Sequence, residues 1–232
     1  MIRLFRELKI NQKSRQQGVT LIELMVALAI GLIATAAMLK VYMDASRIYR
    51  FNDELARLQE NSRFALEFIR RDARVAGFWG CNSDAEPYNG ISATSDAYID
   101  VAAGHITGTS DDGLNSADSI TFRSATGSGA PVTVNMSGTD DNITVDSPLV
   151  VGKAALISDC ERSDLFQVTG NDGAVLEHGV GANTLPDLKN PYAAGARVYE
   201  ARETTYCIAN GTGKDKDSNR IPSLRRAYGK GS

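Results

Sequence analysis

The sequence predicts an α+β chain in which one long N-terminal helix packs on a mainly antiparallel β-sheet domain. Three observations carry this. Val19 to Leu39 is a predominantly apolar run whose only charged residue is Glu23. Val41 to Ala76 contains no Gly or Pro and repeats apolar residues every three or four positions. Beyond Cys81 the texture changes to short apolar runs separated by Gly, Asn, Asp and Ser, the pattern of strands and turns.

The helix reads from about residue 20 to 76. Val41, Ala45, Ile48, Phe51, Leu55, Leu58, Ser62, Ala65, Ile69 and Ala76 form its stripe, with charged residues on the other faces. Glu67 and Arg71 stand four apart in the favourable order for a pair. Gly77 is the natural stop, and Arg70, Arg71 and Arg74 suit the negative end of the helix dipole. Such a helix is about 85 Å long, greasy all round in its first half and striped in its second.

In the second half, strands are expected at Ser119–Arg123, Val132–Met136, Ile143–Val145, Ala154–Ser158, Leu165–Thr169, Ala174–Glu177, Arg197–Ile208 and Ser223–Arg226, with a short one near Tyr98–Val101. Thr126-Gly127, Ser137-Gly138, Asn171-Asp172-Gly173 and Asn210-Gly211 mark turns between them.

Charge divides the 232 residues unevenly. Residues 1–18 carry Arg3, Arg6, Lys9, Lys13 and Arg15 against Glu7, a net of +4, while the whole chain sums to -3. Everything after residue 18 therefore carries -7, which offers no general attraction for nucleic acid. A basic head followed directly by a 21-residue apolar run reads as a membrane-inserting segment with residues 1–18 on the cytoplasmic side and the rest outside. Two histidines are too few for a multi-histidine metal centre.

Glu23 is the informative residue, because a carboxylate in hydrocarbon costs several kcal/mol without a partner. Lys40 lies 17 residues on, roughly 25 Å along a helix, and cannot serve. An α-amino group created by cleavage between Gly18 and Val19 can, on this chain or a neighbour.

Gly18-Val19-Thr20-Leu21-Ile22-Glu23-Leu24-Met25, behind its basic leader, resembles the signature of type IV prepilins and pseudopilins. The resemblance implies that a membrane prepilin peptidase removes residues 1–18 and methylates Val19, and that Glu23 neutralises the amine of a neighbouring subunit during assembly. Val at the first mature position, where Phe or Met is commoner, and Lys40, where major pilins usually carry Pro, favour a minor component. Gly77-Phe78-Trp79-Gly80-Cys81 at the helix end, Leu156 to Thr169, and Ile221-Pro222-Ser223-Leu224-Arg225-Arg226 are similar to recurring stretches of the PilW family of minor pilins. By that resemblance the chain divides into a leader (1–18), a long helix (19–77, of which 19–39 spans the membrane or forms the filament core) and a periplasmic β-rich head (78–232). It implies a pilin-like fold and a structural subunit of a type IV pilus priming or tip complex serving twitching, adhesion or DNA uptake. Its partners would be other minor pilins, the major pilin, a tip adhesin, the peptidase and inner-membrane lipid. The alternative is a minor pseudopilin of a type II secretion system.

Three cysteines, Cys81, Cys160 and Cys207, leave several pairings open, including none. The segments that carry the resemblance hold Cys81 and Cys160, which makes that pair the disulfide candidate and leaves Cys207 as a buried free thiol. No catalytic residue, cofactor or metal ligand is expected. His105 and His178 read as surface residues, and the nucleophile-elbow and zinc-protease patterns are absent from the sequence. Asp215, Asp217 and Asn219 have the opening spacing of a calcium loop, but Arg220 replaces its Gly and Arg226 its final acid, so a solvated loop is the reading. The basic residues near the end are interspersed with acids and lack aromatic company, so direct nucleic-acid contact is not expected.

Overall fold

The computed structural model describes residues 18–81 and 86–229. The leader segment before Gly18 lies outside the described residues. Two compact units divide the chain, Met1–Asn61 and Ser62–Ser232.

One helix, α1 (Leu21–Val75), runs through 55 residues. In the first unit its side chains are exposed, with Ser46 alone half-buried among those described. Leu21, Ile22, Met25, Ile30 and Ile33 are all more than 60% exposed, so this apolar surface has no partner among the described residues. It is long and apolar enough to cross a membrane. On its surface Asp53 pairs with Arg57, and Glu67 pairs with Arg70 at 2.7 Å rather than with the expected Arg71. Three and four residues are both one turn away, and the shorter step wins here.

In the second unit the last turns of α1 face the sheet through Ala65, Ile69, Asp72, Ala73 and Ala76, a 3.6-residue period. The helix stops at Gly77 (φ 80°), where an added Cβ would come within 2.9 Å of the His105 ring.

The strands are β1 (Tyr88–Asn89), β2 (Ile106–Thr109), β3 (Ser119–Pro131), β4 (Ile143–Thr144), β5 (Ala154–Ser158), β6 (Ser163–Gln167), β7 (Gly170–Asp172), β8 (Val175–Glu177), β9 (Arg197–Lys214) and β10 (Arg220–Tyr228). The main sheet runs β1-β6-β5-β9-β3-β2, with β10 also on β9; only β1 on β6 is parallel. A small sheet, β4-β8-β7, stands beside it. The predicted α+β class with a mainly antiparallel sheet is the observed one.

Alternation along the central strands sends side chains to two cores. Ala155, Ile157, Phe166 and Val198 join Ile143, Val145 and Leu176 in one cluster. Ala154, Leu156, Leu165, Tyr199 and Ala201 join Trp79, Ile91 and Ile99 in the other. β5 is therefore buried at all five positions.

Several local readings change. Val132–Met136 is not a strand: Val132 and Met136 are buried four residues apart, and their amides bond the loop carbonyls of Ala196 and Tyr192. Thr126-Gly127 does not end β3 but opens a bulge, with Gly127 and Gly129 at positive φ and pairing resumed at Ala130. Asn210-Gly211 lies inside β9, and the hairpin turns at Asp215–Asn219 instead. Val101–Ala103 forms a 3-10 turn in place of a strand at Tyr98–Val101. β1 and β2, two and four residues long, left too little alternation to read.

Candidate processing and assembly site

The start of α1 is closed by its own side chains. The Thr20 amide donates to Glu23 Oε2 at 3.0 Å and the Thr20 hydroxyl donates to the same oxygen at 3.1 Å. In return the Glu23 amide donates to Thr20 Oγ1 at 3.3 Å, and the Leu24 amide reaches the Thr20 carbonyl. This is a reciprocal capping box, Thr at the cap and Glu three residues on. The Thr-x-x-Glu spacing is the sequence signal for this cap, separate from the charge of Glu23. The carboxylate thus sits at the positive end of the helix dipole, one turn from the Gly18-Val19 bond, amid the exposed side chains of Val19, Leu21 and Ile22. Both side-chain bonds use Oε2.

At the other end of α1 the chain is tied down three times. The Gly77 amide donates to the Arg123 carbonyl, and the Ala125 amide donates to the Phe78 carbonyl, so residues 77–78 extend the edge of β3. Trp79, 2% exposed, enters the core, and its indole N–H donates to His105 Nδ1. Cys81 is disulfide-bonded to Cys160, with Cα atoms 4.5 Å apart, across 79 residues. Cys160 lies in the β5–β6 turn at φ 68°, where the Asp159 carboxylate accepts the amides of Glu161 and Arg162. Gly80 passes so close to Ser158 that a Cβ would stand 2.8 Å from that side chain. Cys207 is free and half-buried on β9.

Asp72, 4% exposed, was not singled out by sequence. Tyr206 donates to its Oδ2 at 2.7 Å and Arg226 at 2.6 Å, while Arg202 stands 3.9 Å from Oδ1. The Arg226 guanidinium lies over the rings of Tyr228, Tyr206 and Phe68. Burial, with the adjacent Asp72 carboxylate, pushes the Tyr206 phenol up to about 12. The sequence signal for this cluster was the gap in the apolar stripe between Ile69 and Ala76, which Asp72 and Ala73 fill.

His178 is buried, not on the surface. Its ring nitrogens lie 2.6 Å from the Pro186 carbonyl and 2.9 Å from that of Asp141, and its ring edge meets Phe166. It ties two loops together. His105 is exposed. Asp164, wholly buried on β6, accepts the amides of Lys189 and Asn190, and burial raises its carboxyl above the usual range.

Asp215 spends its carboxylate on its own loop, accepting the amides of Asp217 and Asn219 and the Asn219 side chain. These donors, Asn219 first, hold its carboxyl below the usual value. The arrangement is an Asx-type hairpin turn. Among the described residues no group of three or more His, Cys, Asp or Glu is placed to hold a metal ion.

A long helix whose end packs on an antiparallel sheet is a pilin-like fold. Residues 13–39 match the family model described as the prokaryotic N-terminal methylation motif. Fold and motif together are consistent with the type IV pilin and pseudopilin superfamily. No curated protein and no solved structure matches the chain.

Proposed function

We propose that the chain is a minor pilin of a type IV pilus, of the PilW kind, acting as a structural subunit of the priming or tip complex and performing no catalysis. The observation that carries this is Glu23, capped onto Thr20 at the head of an exposed apolar helix and directly behind a basic segment ending in Gly18. Prepilin peptidase cuts between Gly18 and Val19 and the new amine is methylated. The helix rests in the inner membrane with the head in the periplasm, an orientation supported by the basic leader and by the Cys81–Cys160 bond, which suits an oxidising compartment. On assembly the helix leaves lipid for the company of other pilin helices. Glu23 neutralises a neighbour's amine there, and the head meets other minor pilins, the major pilin or a tip adhesin.

Two measurements test the reading. Mass spectrometry of the membrane form should find a methylated Val19 as the first residue; retention of residues 1–18 would overturn it. Deletion should abolish surface pili while leaving protein secretion intact. Loss of secretion with normal pili would instead assign a pseudopilin.

A further inference from the structure

Among the described residues the two ends of the strand run β2-β3-β9-β10 are both bare, and they differ in charge. Among the described residues no strand lies on the far side of β2 or of β10. The Arg123 amide donates to the His105 carbonyl, so by alternation Ile106 and Gly108 turn their backbone groups away from β3. The Gly229 amide donates to the Glu203 carbonyl, and the register is unbroken from Pro222 to Tyr228, so Leu224 and Arg226 turn theirs away from β9. Apolar side chains stand exposed at both edges, Ile106 at 52% and Leu224 at 41%.

Charge separates the edges. Beside β10 lie exposed Lys214, Lys216, Arg220 and Arg225 against one exposed acid, Asp217, while Asp215 is occupied by its own turn, so this edge is net basic. Beside β2 the turn to β3 exposes Asp111, Asp112 and Asp118; Asp112 accepts the Thr109 and Ser119 hydroxyls and Asp118 the Asp111 amide, but no base stands among them to offset their charge. Pairing like with like would set bases against bases or acids against acids, which disfavours a two-fold dimer. Direction agrees with the unlike pairing. The β2–β3 and β9–β10 turns lie at the same end of the sheet, since Leu114 bonds Ile208. Two copies standing side by side in the same sense therefore bring β2 and β10 together antiparallel.

We propose that β10 of one copy adds to β2 of a second copy, Leu224 opposite Gly108 and Arg226 opposite Ile106, continuing the sheet head to tail. Arg220 then lies beside Asp112, Leu224 meets no side chain at Gly108 and packs diagonally on Ile106, and Pro222, which has no N–H, falls where β2 has ended. Unlike edges leave a further β2 and β10 free at the ends, so the contact propagates as a row and does not close.

The test uses the full-length chain in detergent on a Cys207→Ser background. One tagged population carries Gly108→Cys, whose Cβ meets the Ser119 carbonyl only at an ordinary 3.6 Å, and the other carries Leu224→Cys. Mixing them under mild oxidation should give a mixed disulfide at least about tenfold above either population alone. About 0.5 M salt, or Arg220→Glu with Arg225→Glu, should cut its yield severalfold, and Asp111→Lys on the other chain should restore it. Native melting of each variant shows that the fold is retained. No mixed product, equal product within one population, or a yield indifferent to charge reversal each overturns the proposal. The crosslink reads the edge contact alone, whichever assembly the chain serves.

Discussion

Asp72 accepts a 2.6 Å hydrogen bond from Arg226, 154 residues further along the chain, and this pair joins the last turns of α1 to β10. The helical residues facing the sheet beside Asp72 are mostly alanines, which bury little area, so the carboxylate carries much of the attachment. Removing one member of a buried pair leaves the other charge uncompensated. Asp72→Ala should therefore lower the unfolding free energy by about 3 kcal/mol. Tyr206→Phe, which removes one hydroxyl, should cost about 1 kcal/mol. Urea unfolding followed by tryptophan fluorescence measures both, because Trp79, the single Trp, is seated just beyond the helix end. Equal small losses in the two variants would count against this attachment through Asp72.

The same cluster sets an alkaline limit. In the unfolded chain Tyr206 ionises near the usual tyrosine value of about 10. In the folded head it is pushed up to about 12 by burial and by Asp72. A pKa raised by folding means that the contribution is complete below about pH 10 and is lost as pH rises through the folded value. Ultraviolet titration of the wild type should show a late phenolate step near pH 12 that disappears in Tyr206→Phe. The variant's melting temperature should fall less than the wild type's between pH 10 and 12.

How much of this was legible in the sequence follows from which interactions are local. The helix was, since its limits depend on spacing and on Gly77. β5 was as well, because Ala154 to Ser158 is one apolar run between polar neighbours. Asn210-Gly211 misled because a local turn preference yields to pairing: Asn210 and Ala209 face Pro222 and Ser223 across the ladder, and Asp215 builds a better turn further on. The Asp72 cluster was hidden for the same reason, its partners being distant in sequence. At the N-terminal site, Glu23 was legible by its charge, whereas its hold on Thr20 required the capping pattern to be considered as well.

The Cys81–Cys160 bond closes a loop of 79 residues and fixes the chain just beyond α1 to the β5–β6 turn. In the chain-entropy picture such a loop is worth about 4 kcal/mol. Cys160→Ser should lower the urea midpoint of the head accordingly and steepen the urea dependence of ΔG, because the unfolded chain without its crosslink is less compact and exposes more surface. Cys207→Ser should leave the unfolding free energy within about 0.5 kcal/mol of wild type, since that thiol has no covalent partner. A large effect at Cys207 and none at Cys160 would mean that the native pairing differs.

Glu23 has two separable roles, and substitutions at this position can tell them apart. As the third residue of a capping box it bonds the Thr20 amide through Oε2, a role that glutamine can also fill. As a charge in an apolar helix it needs a cation, and glutamine cannot supply that attraction. Glu23→Gln should thus keep the helix start, measured as protection of the Thr20 amide in hydrogen exchange of the processed chain in micelles, yet lose incorporation into surface filaments. Glu23→Ala should lose both, with cap loss alone worth about 1 kcal/mol of helix stability. Leader removal should persist in each, because the bond that is cut lies outside the helix. If Glu23→Gln assembled at the wild-type level, the carboxylate would be serving the cap alone, and the neutralisation of a neighbour's amine would have to be abandoned.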